Sequence, residues 1–177
     1  VIKDEATEDY QLAAGISQDV EADDSILELT KARLPWLVLA LLGGFVSVKV
    51  LGLFGGAMTN HGNLFFFTPL VAAMAGNVGV QSSAIIVQGL ANDTLSGSLF
   101  NRLIKEVSLS LLNGVILATI LFLGSHFLLN VEIIIGIIVT IALVSVIIIA
   151  SLIGTFVPIL LDKFGIDPAL ATGPFIT

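Results

Sequence analysis

Pro69-Leu70-Val71-Ala72-Ala73-Met74-Ala75-Gly76-Asn77-Val78-Gly79-Val80-Gln81-Ser82-Ser83 decides how this chain is read. It lies inside an apolar stretch covering residues 64–90, and a helix needs about 20 apolar residues to cross a bilayer. Two glycines, two amides and two hydroxyls interrupt that stretch. Amides in hydrocarbon are costly unless they find partners, so they face water, an ion or another helix. The expectation is a membrane span broken at its centre, with the function located there.

The rest of the chain agrees with a membrane setting. Of 177 residues, 56% are hydrophobic and 12% charged, with a mean hydropathy of +1.05. A soluble domain carries about 25% charged residues. Several further apolar runs make this an all-α, polytopic helical bundle. The short alternating segments of a membrane β-barrel are missing. There is no cysteine, which excludes disulfides and thiolate metal sites. The first 28 residues are acidic and polar, unlike a signal peptide, and a longer natural protein is expected.

Charge is unevenly placed. Nine of the fourteen acidic residues precede Lys31, and the remainder of the chain is close to neutral. An acidic segment attracts cations and repels nucleic acid, so no nucleic-acid partner is expected. Within residues 1–30, Glu5, Glu8 and Asp9 share one face of a helix. That face is either simply solvated or a place where a hard divalent cation relieves the repulsion through oxygen ligands. Ser25 is a candidate N-cap for a following helix with Ile26, Leu27 and Leu29.

Four spans are expected, near 34–54, 64–90, 103–129 and 132–161, with the start of a fifth at Asp167. Pro35 falls in the first turn of span one, beside the interfacial anchor Trp36. Gly43-Gly44 marks close helix packing, and Lys49 either snorkels or faces a polar cavity. Residues 55–63, with His61, read as a polar loop. Asn113 beside Gly114 suggests an interhelical hydrogen bond, and residues 125–130, with His126, a tight turn. Asp167-Pro168 has the form of an acidic N-cap with proline at the first helical position. Lys31 and Arg33, Arg102 and Lys105, and Lys163 fall on one side if each span crosses once. The positive-inside rule places that side, with the N-terminal segment, in the cytoplasm.

Irregular backbone at membrane depth is tolerated where it is buried in protein or faces a wet cavity. Carbonyl and amide oxygens suit a hydrated hard cation, since magnesium keeps several of its waters. An ion channel or transporter is favoured over a purely structural helix-packing role for Gly76 and Gly79. A membrane enzyme is the weakest reading, because the histidines lie in loops and no HExxH or Ser/Lys arrangement occurs.

The quoted stretch, continued by Gln88-Gly89-Leu90-Ala91, closely resembles the second transmembrane helix of the MgtE magnesium channels. That family has a proline, then Gly-Asn-x-Gly-x-Gln-Ser, then a short run in which arginine often stands where this chain has Gln88. Asp167-Pro168-Ala169-Leu170 with Gly173-Pro174 resembles the start of the family's fifth helix. Glu5-Ala6-Thr7-Glu8-Asp9 resembles its cytoplasmic connecting, or plug, helix. The resemblance implies a plug helix over residues 1–30 and a pore domain over 31–177. It implies a homodimeric Mg²⁺ channel of the plasma (inner) membrane, with CBS-type cytoplasmic domains and a pore at the dimer axis. By that match Gly76, Asn77, Gly79, Gln81, Gly173, Pro174 and Thr177 face the pore, and Glu5, Glu8, Asp9 and Asp167 bind regulatory Mg²⁺. The family's main pore carboxylate would follow Thr177. The rival readings are an alternating-access carrier, which also uses broken helices, and a non-transporting membrane scaffold.

Overall fold

The computed structural model describes residues 10–16, 20–95 and 97–171. Among these residues there is no strand. The long helices are α1 (Ile26–Gly52), α3 (Thr68–Ala91), α4 (Leu99–Phe127) and α5 (Ile133–Lys163), with a short helix α2 (Gly55–Asn60) between the first two. Two 3-10 segments complete the order, Gly62–Phe67 ahead of α3 and Pro168–Ala171 after α5. The four long helices are each long and apolar enough to cross a membrane.

α1 starts at a capping box. The Ser25 hydroxyl accepts from the Glu28 N–H, and the Glu28 carboxylate accepts from the Ser25 N–H at 3.1 Å and from its hydroxyl at 2.6 Å. These bonds satisfy donors that a helix start leaves orphaned. They also hold the Glu28 carboxyl, ahead of the apolar part of the helix, below its ordinary value. The Ser25 helix and the first span are therefore one element. Pro35 sits in its interior rather than in a first turn, where it deprives the Lys31 carbonyl of its donor. Upstream, the Gln11 amide binds Val20 through both its oxygen and its nitrogen. Gly15, at φ +79°, turns the chain against Trp36, and Ala32 is fully buried.

Beyond that contact α1 stands apart from the other long helices. Leu37, Leu41, Phe45 and Val48 are all more than half exposed. A helix that is apolar all round meets lipid or another protein surface rather than water. Among the described residues nothing stands within 4 Å of a Cβ built on Gly43 or Gly44, so the close packing expected there does not occur among them. Lys49 is exposed in the last turn, where a cation complements the helix dipole. The expected polar loop at 55–63 is instead α2 and the beginning of the first 3-10 segment.

α5 is the centre of the bundle, packed along α3 on one side and α4 on the other, while α3 and α4 share no extended contact. Its buried positions, Gly136, Val139, Leu143, Ile147, Ser151, Gly154, Thr155 and Pro158, follow the three- and four-residue spacing of one helix face. Small residues let the backbones close up. A Cβ on Gly136 would lie 3.3 Å from the Phe122 ring, and one on Gly114 would lie 3.5 Å from Val144. Gly114, not Asn113, is therefore the contact on α4. Asn113 is exposed and has no hydrogen-bond partner among the described residues.

The helix ends follow local chemistry. α4 runs on to Phe127, so His126 is helical, its Nδ1 lying 3.2 Å from the Val131 carbonyl oxygen, and the turn comes later than expected. Gly165, at φ +69°, ends α5, and the Ile166 N–H reaches back to the Leu161 carbonyl; glycine is favoured at this left-handed position. The Asp167 carboxylate then accepts from the Ala169 N–H at 2.8 Å. That is the acidic cap expected of Asp167-Pro168, opening a 3-10 turn that packs on α5 and α3.

Candidate functional site

α3 is one uninterrupted α-helix from Thr68 to Ala91. The expected break at residues 75–83 does not occur, because Gly76 and Gly79 lower helix propensity without removing any backbone hydrogen bond. Those residues instead give the helix two different faces.

Gly79, Ser82, Ser83, Ile86 and Gly89 form the buried face. It closes on α5 so tightly that a Cβ on Gly154 would lie 2.4 Å from the Gly79 carbonyl oxygen and 3.1 Å from the Ser82 Cβ. A Cβ on Gly89 would meet the flexible side chain of Leu95 first. Gly89→Ala is therefore expected to cost little, with an unchanged melting temperature as the check, because Leu95 can rotate away.

Asn77, Gln81, Ala84 and Gln88 lie on the opposite face, all exposed. Their spacing of four, three and four residues makes a single stripe along the helix, about 16 Å long at 1.5 Å per residue. Among the described residues the side-chain amides of Asn77, Gln81 and Gln88 have no hydrogen-bond partner. A stripe of amides on an otherwise apolar membrane helix is costly against lipid. Gly76 flanks it with nothing within 4 Å of a built Cβ.

The bundle interior holds a second polar feature. The Ser82 hydroxyl donates to Glu106 Oε1 at 2.5 Å, bridging α3 to α4 across their gap. One turn further along α4, Ser110 donates to the Ser151 Oγ of α5 at 2.5 Å. Ser83 and Thr155 are fully buried, and their hydroxyls have no partner among the described residues; each such group costs about 1–3 kcal/mol.

The structure thus separates the residues expected on the pore. Asn77 and Gln81 share the exposed stripe, Gly76 borders it, and Gly79 lies in the helix contact with Gly154. Asp167 is exposed and caps the turn after α5. Gly173, Pro174, Thr177, Glu5, Glu8 and Asp9 lie outside the described residues. Among the described residues no group of three or more His, Cys, Asp or Glu side chains could hold a metal ion. Two features escaped the sequence reading: Gln88 extends the amide stripe, and Glu106 is a bridging carboxylate. The spacing of Gln88 from Asn77 and Gln81 was available as a signal. So was the position of Glu106, eight residues into a membrane helix.

The family model described as "MgtE: Divalent cation transporter" matches residues 68–177. A protein of Bacillus subtilis named "Magnesium transporter MgtE" is 34% identical over 178 residues, covering 100% of this chain. Proteins of the same name from Enterococcus faecalis and Thermus thermophilus are 35% and 32% identical, covering 100% and 99% of the chain. The chain spans 39% of the length of each. With the apolar helices and the two-faced α3, these matches establish that the chain belongs to the MgtE family of divalent cation transporters.

Proposed function

We propose that this chain is the membrane part of a magnesium channel, and that the amide stripe of α3 forms part of its permeation path. The observation that carries the reading is the set of unpartnered amides at Asn77, Gln81 and Gln88 on an exposed face of a membrane helix. Two subunits related by a twofold axis would turn their stripes toward each other, away from lipid. Neutral amide oxygens at the axis can hold the waters of a hydrated Mg²⁺ without stripping them. Gly76 lets the backbone approach the path, and Gly79 anchors the helix behind it. The chain beyond Ala171, with Gly173, Pro174 and Thr177, would supply the second wall. The names of the relatives support magnesium as the ion.

Regulation in this proposal belongs to Glu5, Glu8 and Asp9, with Asp167 at the same mouth. Bound cytoplasmic Mg²⁺ offsets their mutual repulsion and lets paired N-terminal segments close the path, and its loss drives them apart. The N-terminal side is cytoplasmic in this scheme, and CBS-type domains belong to the longer chain. Replacing Glu5, Glu8 and Asp9 together with Ala is expected to weaken closure by cytoplasmic Mg²⁺ by about tenfold in concentration, measured in patch recordings. Unchanged inhibition would remove these residues from gating.

The continuous backbone of α3 counts against an alternating-access carrier built on a broken helix. The test is Mg²⁺ influx into proteoliposomes holding the full-length protein and a trapped Mg²⁺ indicator. Influx down the gradient supports transport, and its absence would leave the scaffold reading. Gly76→Ala gives a finer check. Its added Cβ meets nothing within 4 Å among the described residues, so the melting temperature should hold while influx falls. Unchanged influx would place Gly76 away from the path.

A further inference from the structure

We propose that the level of the bundle shared by Glu106, Ser82 and Thr155 is a binding site for one monovalent hard cation, with sodium as the fitting ion. Three observations converge on it. First, Glu106 lies eight residues into α4, about 10 Å along the helix, and its carboxylate is held at 2.5 Å by the Ser82 hydroxyl. Glu106 is partly buried among apolar helices, where a carboxylate calls for a partner.

Second, helix register brings Thr155 to the same level. α4 and α5 are antiparallel, joined through residues 128–132 and fixed in register by the Ser110–Ser151 bond. One turn back from Ser110 is Glu106, and one turn on from Ser151 is Thr155, so both steps run toward the same end of the bundle. Gly154, next to Thr155, meets Ser82 from the other side. Thr155 and the neighbouring Ser83 are both fully buried, with hydroxyl oxygens that have no partner among the described residues.

Third, Pro158 has no N–H, so the Gly154 carbonyl lacks the donor an α-helix normally gives it. The level therefore gathers a carboxylate, hydroxyls and a released carbonyl. All are oxygen donors, the set that hard cations take. Carbonyls released within membrane helices coordinate sodium in this manner.

Charge selects among cations. One carboxylate balances one positive charge, whereas a divalent ion would leave an uncompensated charge in a low-dielectric interior. The site lies on the face of α3 opposite the amide stripe, so it is distinct from the proposed permeation path and does not depend on it.

The test is equilibrium binding of ²²Na⁺ to the purified full-length protein in Mg²⁺-free buffer, with choline holding ionic strength constant. No Mg²⁺ gradient is involved, so the result is separable from that of the transport assay. Saturable binding near one sodium per subunit is expected, at least tenfold weaker in Glu106→Ala and several-fold weaker in Thr155→Val. Thr155→Val keeps the side-chain shape, so its monodispersity on size exclusion shows a folded protein if Glu106→Ala fails to fold. Absence of saturable sodium binding would overturn the proposal, the hydroxyls then being served by water. Equal binding in a folded Thr155→Val would also overturn it, as would Mg²⁺ displacing sodium with the higher affinity.

Discussion

Replacing Asn77 and Gln81 together with Leu is expected to reduce Mg²⁺ influx into proteoliposomes by at least about tenfold, with the melting temperature of the full-length protein unchanged or raised. Both residues are exposed, and their side chains have no hydrogen-bond partner among the described residues, so their loss removes no described bond between the helices. A leucine stripe is more compatible with lipid than an amide stripe. It also leaves a hydrated cation with no polar group to exchange for bulk water. If the amides served only helix packing, the same substitution would lower stability and spare influx. Gln88→Leu should show the same sign with a smaller effect, because Gln88 lies near the end of α3.

Gly154→Val should have the opposite signature, loss of folded protein first and of transport as a consequence. Even a Cβ at position 154 lies 2.4 Å from the Gly79 carbonyl oxygen. That atom belongs to the backbone of a regular helix, which cannot rotate aside as a side chain can. α3 must therefore move off α5, and overpacking of this kind costs about 1–3 kcal/mol. Gly154→Ala is the milder form and should lower the detergent melting temperature measurably. Gly114→Ala, whose built Cβ meets Val144 at 3.5 Å, should be nearly silent, since that distance is ordinary contact. Equal effects at positions 154 and 114 would show that the α3–α5 approach is not the close point of the bundle.

What was legible in the sequence was local. The Ser25 cap and the Asp167-Pro168 start each depend on residues within a turn of one another, and each forms as expected. The four long helices were legible because hydrocarbon imposes a length and a composition. What was not legible depends on the rotation of one helix against another. Asn113 and Gly114 are neighbours in sequence, yet only Gly114 turns toward α5, and nothing local chooses between them. The glycines of α3 were read as a break because glycine weakens isolated helices. In the bundle, packing against α5 more than offsets that propensity cost, and Gly79 becomes a close-contact residue.

The candidate site divides in the same way. The amides at Asn77 and Gln81 were visible as an anomaly in an apolar stretch, and the helix shows that they share a face with Gln88. Glu106 stands out in the sequence only as a carboxylate within an apolar helix. Its bond to Ser82 joins residues 24 apart in sequence on two different helices, a pairing that no spacing rule within either helix predicts.

The most direct measurement is electrical: recordings across a planar bilayer holding the full-length protein, with a Mg²⁺ gradient as the only driving force. Discrete unitary Mg²⁺ currents in the wild type, lost in the Asn77→Leu/Gln81→Leu double variant, are predicted. Mg²⁺ influx without unitary currents, or unitary currents unchanged in that variant, would contradict a channel whose path runs along the amide stripe of α3.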